Sequence, residues 1–450
     1  MTETQSSESP ISAFAHSLGL DAYLVGGAVR DELLGRPAKD HDFVVPGVGY
    51  EELREALAPH GRVEDLEVAG RRVGLRLYPT DRELRSIAPA GIEFAPPRTE
   101  RSTGPGRHDF EIVASPEISL QQDMARRDFT INAIAKRLET GELLDPFGGQ
   151  RDLQARVLRT VSPESFREDP LRLVRGLRFV SEHDLDPDEQ TLAQMSENAE
   201  SVRLVSAERI GGGLSSNGMG ELSKLLLGTH PAKALRLARD TGVLVALLPE
   251  FEPALDGTLD EHIFSVVQAA ADARVPLEVR LAALLHDLGK PSAPTFAEHA
   301  EIGARIASSI VSRLRYPARV QRHVTNLVRA HAYSDESTPE AARRFLARHG
   351  DELAFDLVAH RLADLAAKSY DVPPEWIAGA EEFRRLLERE RAQPHRIGDL
   401  AIGGADLLEL GFRQGPRIGE GLAFLLERVL TDPSLNTRER LLEEARSLPR

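Results

Sequence analysis

The period of the hydrophobic positions changes part-way along the chain. Between residue 22 and about residue 115, short apolar or alternating runs recur between helical segments, as in AYLV, HDFVV, VGLRLY, IEFA and FEIVA. Such runs bounded by turn residues predict strands. After about Thr160 they stop, and apolar residues recur at helical spacing with Gly and Pro as punctuation. Strands followed by helices predict an α+β protein, with a mixed-sheet head and an all-α neck and body.

Breaks in this pattern predict five segments. They are a flexible lead-in at 1–18, the head at 19–160, a helical neck at 161–255, a helical domain at 256–372 and a C-terminal arm at 373–450. The Pro-, Gly- and Arg-containing run at 96–108 predicts a loop. The run GGGLSSNGMG at 211–220 interrupts two helical stretches and is typical of an inserted loop.

Composition narrows the class of protein. The chain has 450 residues, a formal charge of -15 and no cysteine, which excludes disulfide frameworks, thiolate zinc sites and cysteine nucleophiles. With this acidic balance, any contact with nucleic acid must use a local basic patch. The polar N-terminus does not resemble a signal peptide, and no apolar run approaches the roughly 20 residues needed to cross a bilayer. We therefore expect a soluble cytoplasmic protein that does not contact a membrane.

A first group of residues indicates chemistry in the head. A short predicted strand runs into Gly26–Gly27 and then into a helix, a turn through which a backbone can approach a triphosphate. Asp40 and Asp42 lie at the start of the next strand, where alternation places them on one face, about 6.6 Å apart. Carboxylates in this arrangement can hold Mg²⁺. Taken singly, a tight turn and an ordinary acidic strand end would explain both features.

An arginine-rich stretch follows the head. In FREDPLRLVRGLRF, helical geometry predicts one polar face, and apolar residues occupy the other side. That face consists of Glu168, Asp169, Arg172, Arg175 and Arg178. By itself it could be a salt-bridged surface helix.

Taken in order, these motifs resemble the class II tRNA nucleotidyltransferases. They are GGAVRD at 26–31, DHD at 40–42, RRDFTINA at 126–133, DPFGG at 145–149 and EDPLR at 168–172. The family comprises CCA-adding enzymes of the polymerase-β-type superfamily, with bacterial poly(A) polymerases as close relatives. The resemblance extends from about residue 22 to residue 227. It implies a nucleotidyltransferase head that adds or repairs the 3′-terminal CCA of tRNA with CTP and ATP and releases pyrophosphate.

The resemblance also implies roles for individual residues. Asp40 and Asp42 match the ligands of the catalytic Mg²⁺, and Glu93 stands where the superfamily often has a third carboxylate. Asp169 and Arg172 match a pair that hydrogen-bonds the Watson–Crick edge of CTP or ATP, and such a pair can imitate a templating base. The remaining nucleotide-binding positions are Gly26, Gly27, Arg30, Asp31, Arg126, Arg127, Asp128, Asn132, Arg175 and Arg178. Asp145, Gly148 and Gly149 match a hinge-like element between head and neck.

A second group of residues resembles the HD superfamily of metal-dependent phosphohydrolases. His262, the adjacent His286 and Asp287, and Asp364 match its ligands for a divalent metal, and some bacterial CCA-adding enzymes carry such a domain. His299 and His331 could bind a second metal or support the first. The alternative is a degenerate site of ordinary core histidines.

The C-terminal arm and three alternatives complete the sequence interpretation. Gly411, Gly415 and Gly419 indicate a turn before an amphipathic helix, which either contacts an RNA phosphate or packs helices.

The same head would serve a poly(A) polymerase, or an enzyme that adds only CC or only A. A hydrolase with an inactive head is disfavoured by the intact motifs. We expect the tRNA 3′ end, CTP and ATP as partners and see no indication of an obligate protein partner.

Overall fold

The computed structural model describes residues 9–37, 41–68, 70–102, 110–212, 219–334 and 336–448. The chain divides into two compact units, Met1–Pro249 and Glu250–Arg450.

A seven-stranded mixed sheet forms the head of the first unit. Its order is β3-β4-β5-β2-β1-β8-β9, and the β2–β5 pair is parallel whereas its other pairs are antiparallel. The strands of the sheet are β1 (Tyr23–Val25), β2 (Asp42–Val44), β3 (Gly61–Val68), β4 (Arg71–Pro79), β5 (Ile92–Ala95), β8 (Ala135–Arg137) and β9 (Leu143–Leu144). Phe43 and Phe94 stack at 5.0 Å between ring centroids across β2 and β5, and both are fully buried. Each such ring stabilises the fold by about 2 kcal/mol.

Two predictions for the head were wrong. Residues 10–17 of the predicted lead-in form helix α1 (Pro10–Ser17), because Ser9 caps it and its apolar face buries Ile11 and Ala15 in the head core. Within the predicted loop, residues 98–102 form β6 (Arg98–Ser102), which pairs with β7 (Phe110–Ala114) in antiparallel register. The rest of the predicted loop, from residue 103 on, lies outside the described residues.

Short helices complete the head. They are α2 (Gly27–Leu33), α3 (Tyr50–Leu57), α4 (Arg82–Ile87), α5 (Leu120–Ala125) and α6 (Gly149–Gln154), together with the 3₁₀ turns Ala58–His60 and Thr130–Asn132. Asp145 caps α6, since its two carboxylate oxygens accept from Gly149 N (2.7 Å) and Gln150 N (2.9 Å). Gly149 packs so tightly that an added Cβ would lie 2.1 Å from Thr130 O. The predicted hinge element is thus a tightly packed helix start.

The neck is helical, with one exception. Its helices are α7 (Ser165–Glu168), α8 (Leu171–His183), α9 (Glu189–Asn198), α10 (Ala207–Ile210), α11 (Glu221–Leu227), α12 (Pro231–Asp240) and α13 (Val243–Leu247), with 3₁₀ turns at Ala199–Leu204 and Pro249–Ala254. The exception is β11 (Asp186–Pro187), which pairs in parallel with β10 (Val157–Leu158) at the end of the head.

The residues that flank the described gap in the predicted insertion pair with each other. Gly212 and Met219 form an antiparallel bridge, Gly220 N donates to Gly211 O (2.8 Å), and α11 begins at the next residue. The two described ends of the predicted insertion therefore lie side by side. Residues 213–218 lie outside the described part of the chain.

The second unit consists of helices in its described residues. They are α14 (Leu259–Asp272), α15 (Leu277–Leu285), α16 (His299–Arg313), α17 (Ala318–Ala330), α18 (Pro339–His349), α19 (Asp351–Ala366), α20 (Pro374–Glu390), α21 (Gly404–Glu409), α22 (Pro416–Thr431) and α23 (Arg438–Arg446), with 3₁₀ turns at Lys290–Ser292, Phe296–Glu298, Ile397–Asp399 and Pro433–Leu435. Gly419 lies inside α22 and not in the turn before it, because Gly415 at φ 131° ends the turn. Of the described helices, none is long and apolar enough to span a bilayer.

Candidate active site and candidate metal centre

Strand register brings the predicted phosphate turn and a predicted metal ligand together. Val25 lies opposite Asp42 in the β1–β2 pair, and the chain passes directly from Val25 into Gly26, which has φ 72°. Asp42 lies opposite Glu93 in the parallel β2–β5 pair, so their side chains leave the same face of the sheet. The Gly26–Gly27 turn and the two carboxylates therefore share one edge. Asp40 lies outside the described residues.

The two described carboxylates differ in their surroundings. Asp42 is exposed at the first position of β2. Glu93 is held by Arg76, whose Nη2 lies 2.5 Å from Oε1. To bind a metal ion, Glu93 would have to release Arg76 or bind the ion and Arg76 at the same time.

Arg127 lies against the glycine turn. A Cβ atom at Gly26 would lie only 2.8 Å from Arg127 Nη1, so glycine is needed both for this contact and for the positive φ. The nearly fully buried Asp123 holds Arg127 (Nη2–Oδ2 3.1 Å) and Arg126 (Nη2–Oδ1 2.8 Å). Burial alone would raise the pKa of Asp123, but the two guanidinium groups outweigh it and hold this pKa below the usual value. Sequence reasoning missed Asp123, although its position three and four residues before the two arginines was the available signal.

Arg30 joins the first two head motifs. Its Nη1 donates to Asn132 Oδ1 at 2.7 Å, and its Nη2 donates to Asp31 at 2.8 Å. The guanidinium also lies 5.1 Å from the centre of the Phe179 ring of α8. Arg30 is therefore fixed by the head and by the neck at once.

A buried carboxylate connects the head to α8. Asp128 Oδ1 accepts from Asn132 Nδ2 (2.9 Å) and from the Phe129 backbone N–H (2.8 Å), while Oδ2 accepts from Arg175 Nη1 (3.2 Å). Burial would raise the pKa of Asp128, but Arg175 and these hydrogen bonds lower it, so the carboxylate stays charged. The opposite charge in turn raises the pKa of Arg175 against the effect of burial.

Glu221 fixes the arginines of α8 from the other side. Its carboxylate lies 3.1 Å from Arg178 Nη1 and 3.6 Å from Arg175 Nε, and the residue is 4% exposed. The residue is the first of α11, immediately after the insertion. Sequence reasoning noted it only as a helix start.

The helix predicted to carry Asp169 together with the arginines was wrong. Glu168 and Asp169 do not share a helix with the arginines, because α7 ends at Glu168 and α8 begins at Leu171 after Pro170. Arg172 does not bond Asp169 through its side chain. It donates to Glu168 (3.1 Å), the Arg126 carbonyl (2.7 Å) and Ser165 Oγ (3.0 Å).

Asp169 instead pairs with Arg209 of α10. Arg209 Nη2 lies 2.9 Å from Oδ2 and Nη1 lies 3.4 Å from Oδ1, and the Leu171 backbone N–H also donates to Oδ1 at 3.1 Å. Arg209 was recognised in the sequence only as part of a neck motif. Asp169 and Arg172 remain neighbours that are held separately, Asp169 by Arg209 and Arg172 by Glu168, Ser165 and the Arg126 carbonyl.

This part of the molecule can bind an anion without first rearranging its cations. Each arginine described above is fixed by a carboxylate: Arg30, Arg126, Arg127, Arg172, Arg175 and Arg178. Donors fixed in advance stabilise developing charge more than mobile ones, because no ordering cost remains at the moment of reaction.

The second unit gathers all six predicted metal-site residues. His262, His286 and Asp364 form one group and Asp287, His299 and His331 form another, with potential ligand atoms within 4.8 Å of one another inside each group. The residues come from α14, from the turn after α15, from α16, from the turn after α17 and from α19.

Asp287 faces both groups. Its Oδ2 lies 3.1 Å from His286 Nε2 and 3.6 Å from His262 Nε2, while its Oδ1 lies 3.7 Å from the Nε2 atoms of both His299 and His331. The Nε2 atoms of His299 and His331 are 3.1 Å apart. Ligands bound at about 2.1 Å to one metal are separated by such distances, so each group fits a divalent metal.

The ionisable groups of this centre have pKa values shifted in different directions. Burial alone would lower the pKa of His286, but the neighbouring Asp287 outweighs it and raises this pKa. Burial and the neighbouring His286 lower the pKa of His331 to about 4, so its ring is neutral near pH 7 and can offer a lone pair. Lys290 Nζ lies 2.5 Å from Asp287 and Lys368 Nζ lies 2.7 Å from Asp364, so each carboxylate has a cation beside it. His360 lies among these rings with its pKa well below the usual value because of burial.

Comparisons with known proteins agree with this division. Residues 22–159 match the family described as "Poly A polymerase head domain", residues 184–255 match "Probable RNA and SrmB- binding site of polymerase A", and residues 259–369 match "HD domain". The multifunctional CCA protein of Pseudomonas fluorescens is 35% identical over 445 residues, covering 90% of this chain and 96% of the relative. That of Nitrosospira multiformis is 36% identical over 332 residues, covering 69% and 73%. The chain belongs to the family of multifunctional CCA proteins.

Solved structures of CCA-adding enzymes have the same fold. The Bacillus stearothermophilus CCA-adding enzyme in complex with CTP is 27% identical, with a TM-score of 0.70 over 97% of this chain and 94% of that one. The Thermotoga maritima CCA-adding enzyme complexed with tRNA, at 23% identity and a TM-score of 0.58, supports the fold alone over 97% and 93%.

These findings confirm the family predicted from the sequence motifs and the α+β fold class. This multifunctional CCA protein family combines a metal-dependent nucleotidyltransferase head with an HD domain.

Proposed function

We propose that the chain adds or repairs the 3′-terminal CCA of tRNA with CTP and ATP and releases pyrophosphate. The observation that carries the proposal is the strand register at the head edge, which aligns Asp42 with the Gly26–Gly27 turn. A triphosphate seated at that turn would have its phosphates beside Arg127 and its metal beside Asp42. Because tRNA, CTP and ATP are its substrates, we place its action in the cytoplasm.

Mg²⁺ would be held by the carboxylates of Asp40 and Asp42, with Glu93 as a further ligand. Carboxylate oxygens are the ligands that Mg²⁺ prefers, and the exposure of Asp42 leaves room for phosphate and water ligands. When bound, Mg²⁺ neutralises phosphate charge and lowers the pKa of a coordinated hydroxyl.

The reaction needs no protein nucleophile. The 3′-hydroxyl oxygen of tRNA forms a bond to the α-phosphorus, the bond to the α–β bridging oxygen breaks, and pyrophosphate leaves with that electron pair while the hydroxyl proton passes to solvent. Arg126 and Arg127, fixed by Asp123, would stabilise the departing charge. Arg30, fixed by Asn132, would orient the ribose or phosphates.

Asp169 and Arg172 would select the base. A carboxylate accepts from the amino group shared by cytosine and adenine, and a guanidinium donates to the neighbouring ring nitrogen. Arg209 holds the carboxylate and Ser165 holds the guanidinium, so the two groups are ready to be bridged by a base.

We propose the predicted segmentation for these roles. The predicted head, 19–160, would be extended by α1 (Pro10–Ser17), followed by the neck that binds nucleotide and RNA at 161–255, the HD-like domain at 256–372 and the arm at 373–450.

The extension of tRNA transcripts lacking CCA tests the transferase proposal. With Mg²⁺, CTP and ATP, we expect extension that stops after three nucleotides, and Asp42→Asn should abolish it. A long ladder with ATP alone would identify a poly(A) polymerase, and partial products would identify a CC- or A-adding enzyme. No extension at all would contradict the proposal.

We also propose a metal-dependent phosphohydrolase activity for the second unit. The position of Asp287 between two ligand groups supports it, because a metal pair can bind a phosphoester and a nucleophilic water together. We expect hydrolysis of phosphodiesters or phosphomonoesters that is lost in Asp287→Asn while tRNA extension continues. Hydrolysis that survives this substitution would contradict the proposal.

A further inference from the structure

Acidic residues are absent from one stretch of the second unit. The whole chain has 71 acidic residues against 56 basic ones, yet residues 302–334 contain six arginines and no aspartate or glutamate. This stretch forms most of α16, all of α17 and the connections that flank α17. All six arginines are exposed, and together they are called the arginine surface: Arg305, Arg313, Arg315, Arg319, Arg322 and Arg329. Because the chain as a whole repels polyanions with its formal charge of -15, a local surface of this kind is where one can bind.

Helix α17 aligns three of these arginines. At about 3.6 residues per turn, Arg319, Arg322 and Arg329 lie within about a quarter of the helix circumference. The helix rises about 15 Å between the first and the last of them. The exposed Asn326 lies on the same face, whereas the opposite face is apolar and buried. A face of this length can lie along several successive phosphates of one nucleic-acid strand.

Ion pairs leave the arginine surface available to a ligand. Three of its members pair with acidic side chains of other segments: Arg313 with Glu250, Arg319 with Glu352 and Arg329 with Glu301. The arginines of these pairs are between 42% and 61% exposed, so water screens the attraction and a phosphate oxygen can replace the carboxylate. Arg305 and Arg322 have no ion pair with any residue that the structure describes.

A groove lies beside the exposed face of α17. Arg322 and Asn326 line it together with the first residues of α19, and its volume is about 510 Å³. Two acidic side chains also line it, but Asp351 is paired with two arginines and Glu352 with one. Arg322 therefore contributes a positive charge that no acidic side chain of the groove balances.

The aromatic residues of this stretch indicate which form of nucleic acid fits. They are two tyrosines, of which Tyr316 is 2% exposed and Tyr333 packs against Phe345 at 4.9 Å between ring centroids. Proteins that bind single strands stack the bases on exposed aromatic rings, whereas an RNA duplex hides its bases and is recognised through its shape and phosphates. We propose that the arginine surface binds the phosphate backbone of a double-stranded RNA stem. The inference rests on the proposed function only in taking tRNA as the natural RNA, and it adds a contact away from the tRNA 3′ end.

Direct binding of RNA to the full chain tests the proposal without any nucleotide or catalytic step. A fluorescent RNA hairpin with a long base-paired stem is titrated with protein at several salt concentrations. The test variant combines Arg305→Gln with Arg322→Gln, because these two arginines have no described ion pair to lose. The matched control combines Arg384→Gln with Arg385→Gln, which removes the same charge from exposed positions of the acidic helix α20.

The test variant should bind the stem about tenfold more weakly than wild type at moderate salt. Its plot of log Kd against log salt should also be shallower by about 1.4–1.8, since each lost phosphate contact lowers the slope by about 0.7–0.9. The control should stay within about twofold of wild type with an unchanged slope. Arg305→Lys combined with Arg322→Lys should also bind like wild type, because a point charge is sufficient for a phosphate.

Two results would overturn the proposal. If the test variant and the control bind the stem equally well, the arginines serve another polyanion, such as an acidic protein. If the loss is as large for a single-stranded RNA of the same length, the surface does not recognise a stem.

Extension kinetics give a second readout. The KM for tRNA should rise about tenfold in the test variant while kcat stays within about twofold, because the substitutions are in the second unit and remove binding only. A lower kcat with unchanged KM would contradict a role in RNA binding. A chain that binds the stem through these arginines but extends no tRNA would contradict the proposed transferase and leave the assignment of the arginine surface intact.

Discussion

Replacement of Arg209 by alanine should impair the choice and binding of nucleotides. Arg209 holds Asp169 with two charge-assisted hydrogen bonds at 2.9 and 3.4 Å, and the side chains of the pair are 27% and 18% exposed. Without the arginine, Asp169 would keep one acceptor contact with the Leu171 backbone N–H and could turn toward solvent. The carboxylate that should accept from the base would then be free to leave its position.

The exposure of the pair limits the size of the effect. Hydrogen bonds to charged groups contribute about 1.5–3 kcal/mol when buried, and screening at this partly exposed site reduces that to about 1–2 kcal/mol. Since about 1.4 kcal/mol corresponds to tenfold, kcat/KM for CTP and ATP should fall roughly 5- to 30-fold in Arg209→Ala. Arg209→Lys keeps the charge but loses the two-pronged geometry, so its loss should be intermediate.

Single-turnover extension of tRNA ending in CC or lacking CCA measures this loss for ATP and CTP. Arg203→Ala is the matched control, because Arg203 makes an exposed neck ion pair with Glu200, at 52% and 75% side-chain exposure. The control should stay within about twofold of wild type. If Arg209→Ala behaves like Arg203→Ala and incorporates GTP and UTP no more readily than wild type, the role given to this ion pair is wrong.

Three other substitutions test separate parts of the molecule. Asp128→Asn should lower the free energy of unfolding at pH 7 by about 2–4 kcal/mol, because it breaks a buried ion pair. Burial would raise the pKa of Asp128, but the paired arginine holds it below about 3.9, so the ion pair stabilises the fold above that pH and stops doing so as the pH falls. Denaturant titrations should therefore show the difference in free energy of unfolding between wild type and Asp128→Asn shrinking from pH 5 to pH 3. A constant difference would contradict the ion pair. Gly26→Ala should raise KM for CTP and ATP about tenfold by displacing Arg127. The control is Gly35→Ala, which has a similar φ of 66° and no atom near an added Cβ, and it should lose only about 1 kcal/mol of stability. Equal KM values in the two variants would contradict the role of the Gly26 contact. Asp287→Asn should weaken metal binding by calorimetry and leave tRNA extension unchanged, and a parallel loss of extension would argue against two independent sites.

The sequence was sufficient for the fold class and for the family. Strands β1, β2, β4 and β5 follow directly from their apolar runs, because a half-buried or buried strand requires that pattern. The motifs that define the family lie at positions where the backbone conformation or close packing restricts the residue type. Gly26 is an example, since its positive φ favours glycine and an added Cβ would press on Arg127.

Long-range partners could not be predicted in the same way. Helical spacing suggested that Asp169 and Arg172 share a face, but Pro170 separates the two helices and gives Asp169 to Arg209, 40 residues further on. The buried carboxylate of Glu221 cannot be distinguished in sequence from that of a surface acid, and only the spacing of Asp123 before Arg126 and Arg127 indicated its role. Likewise, the two separate faces of Asp287 became visible only when five chain segments met around it.

The most direct test of the central claim is nucleotide choice at successive positions of the tRNA end. Wild-type protein is given transcripts ending before the first C, before the second C and before the A, each with one of the four nucleoside triphosphates, and products are resolved to single nucleotides. The account predicts CTP alone at the first two positions, ATP alone at the third and no further addition. Addition of ATP at every position, or indifference among the four, would contradict a chain that selects CTP and then ATP through Asp169 and Arg172.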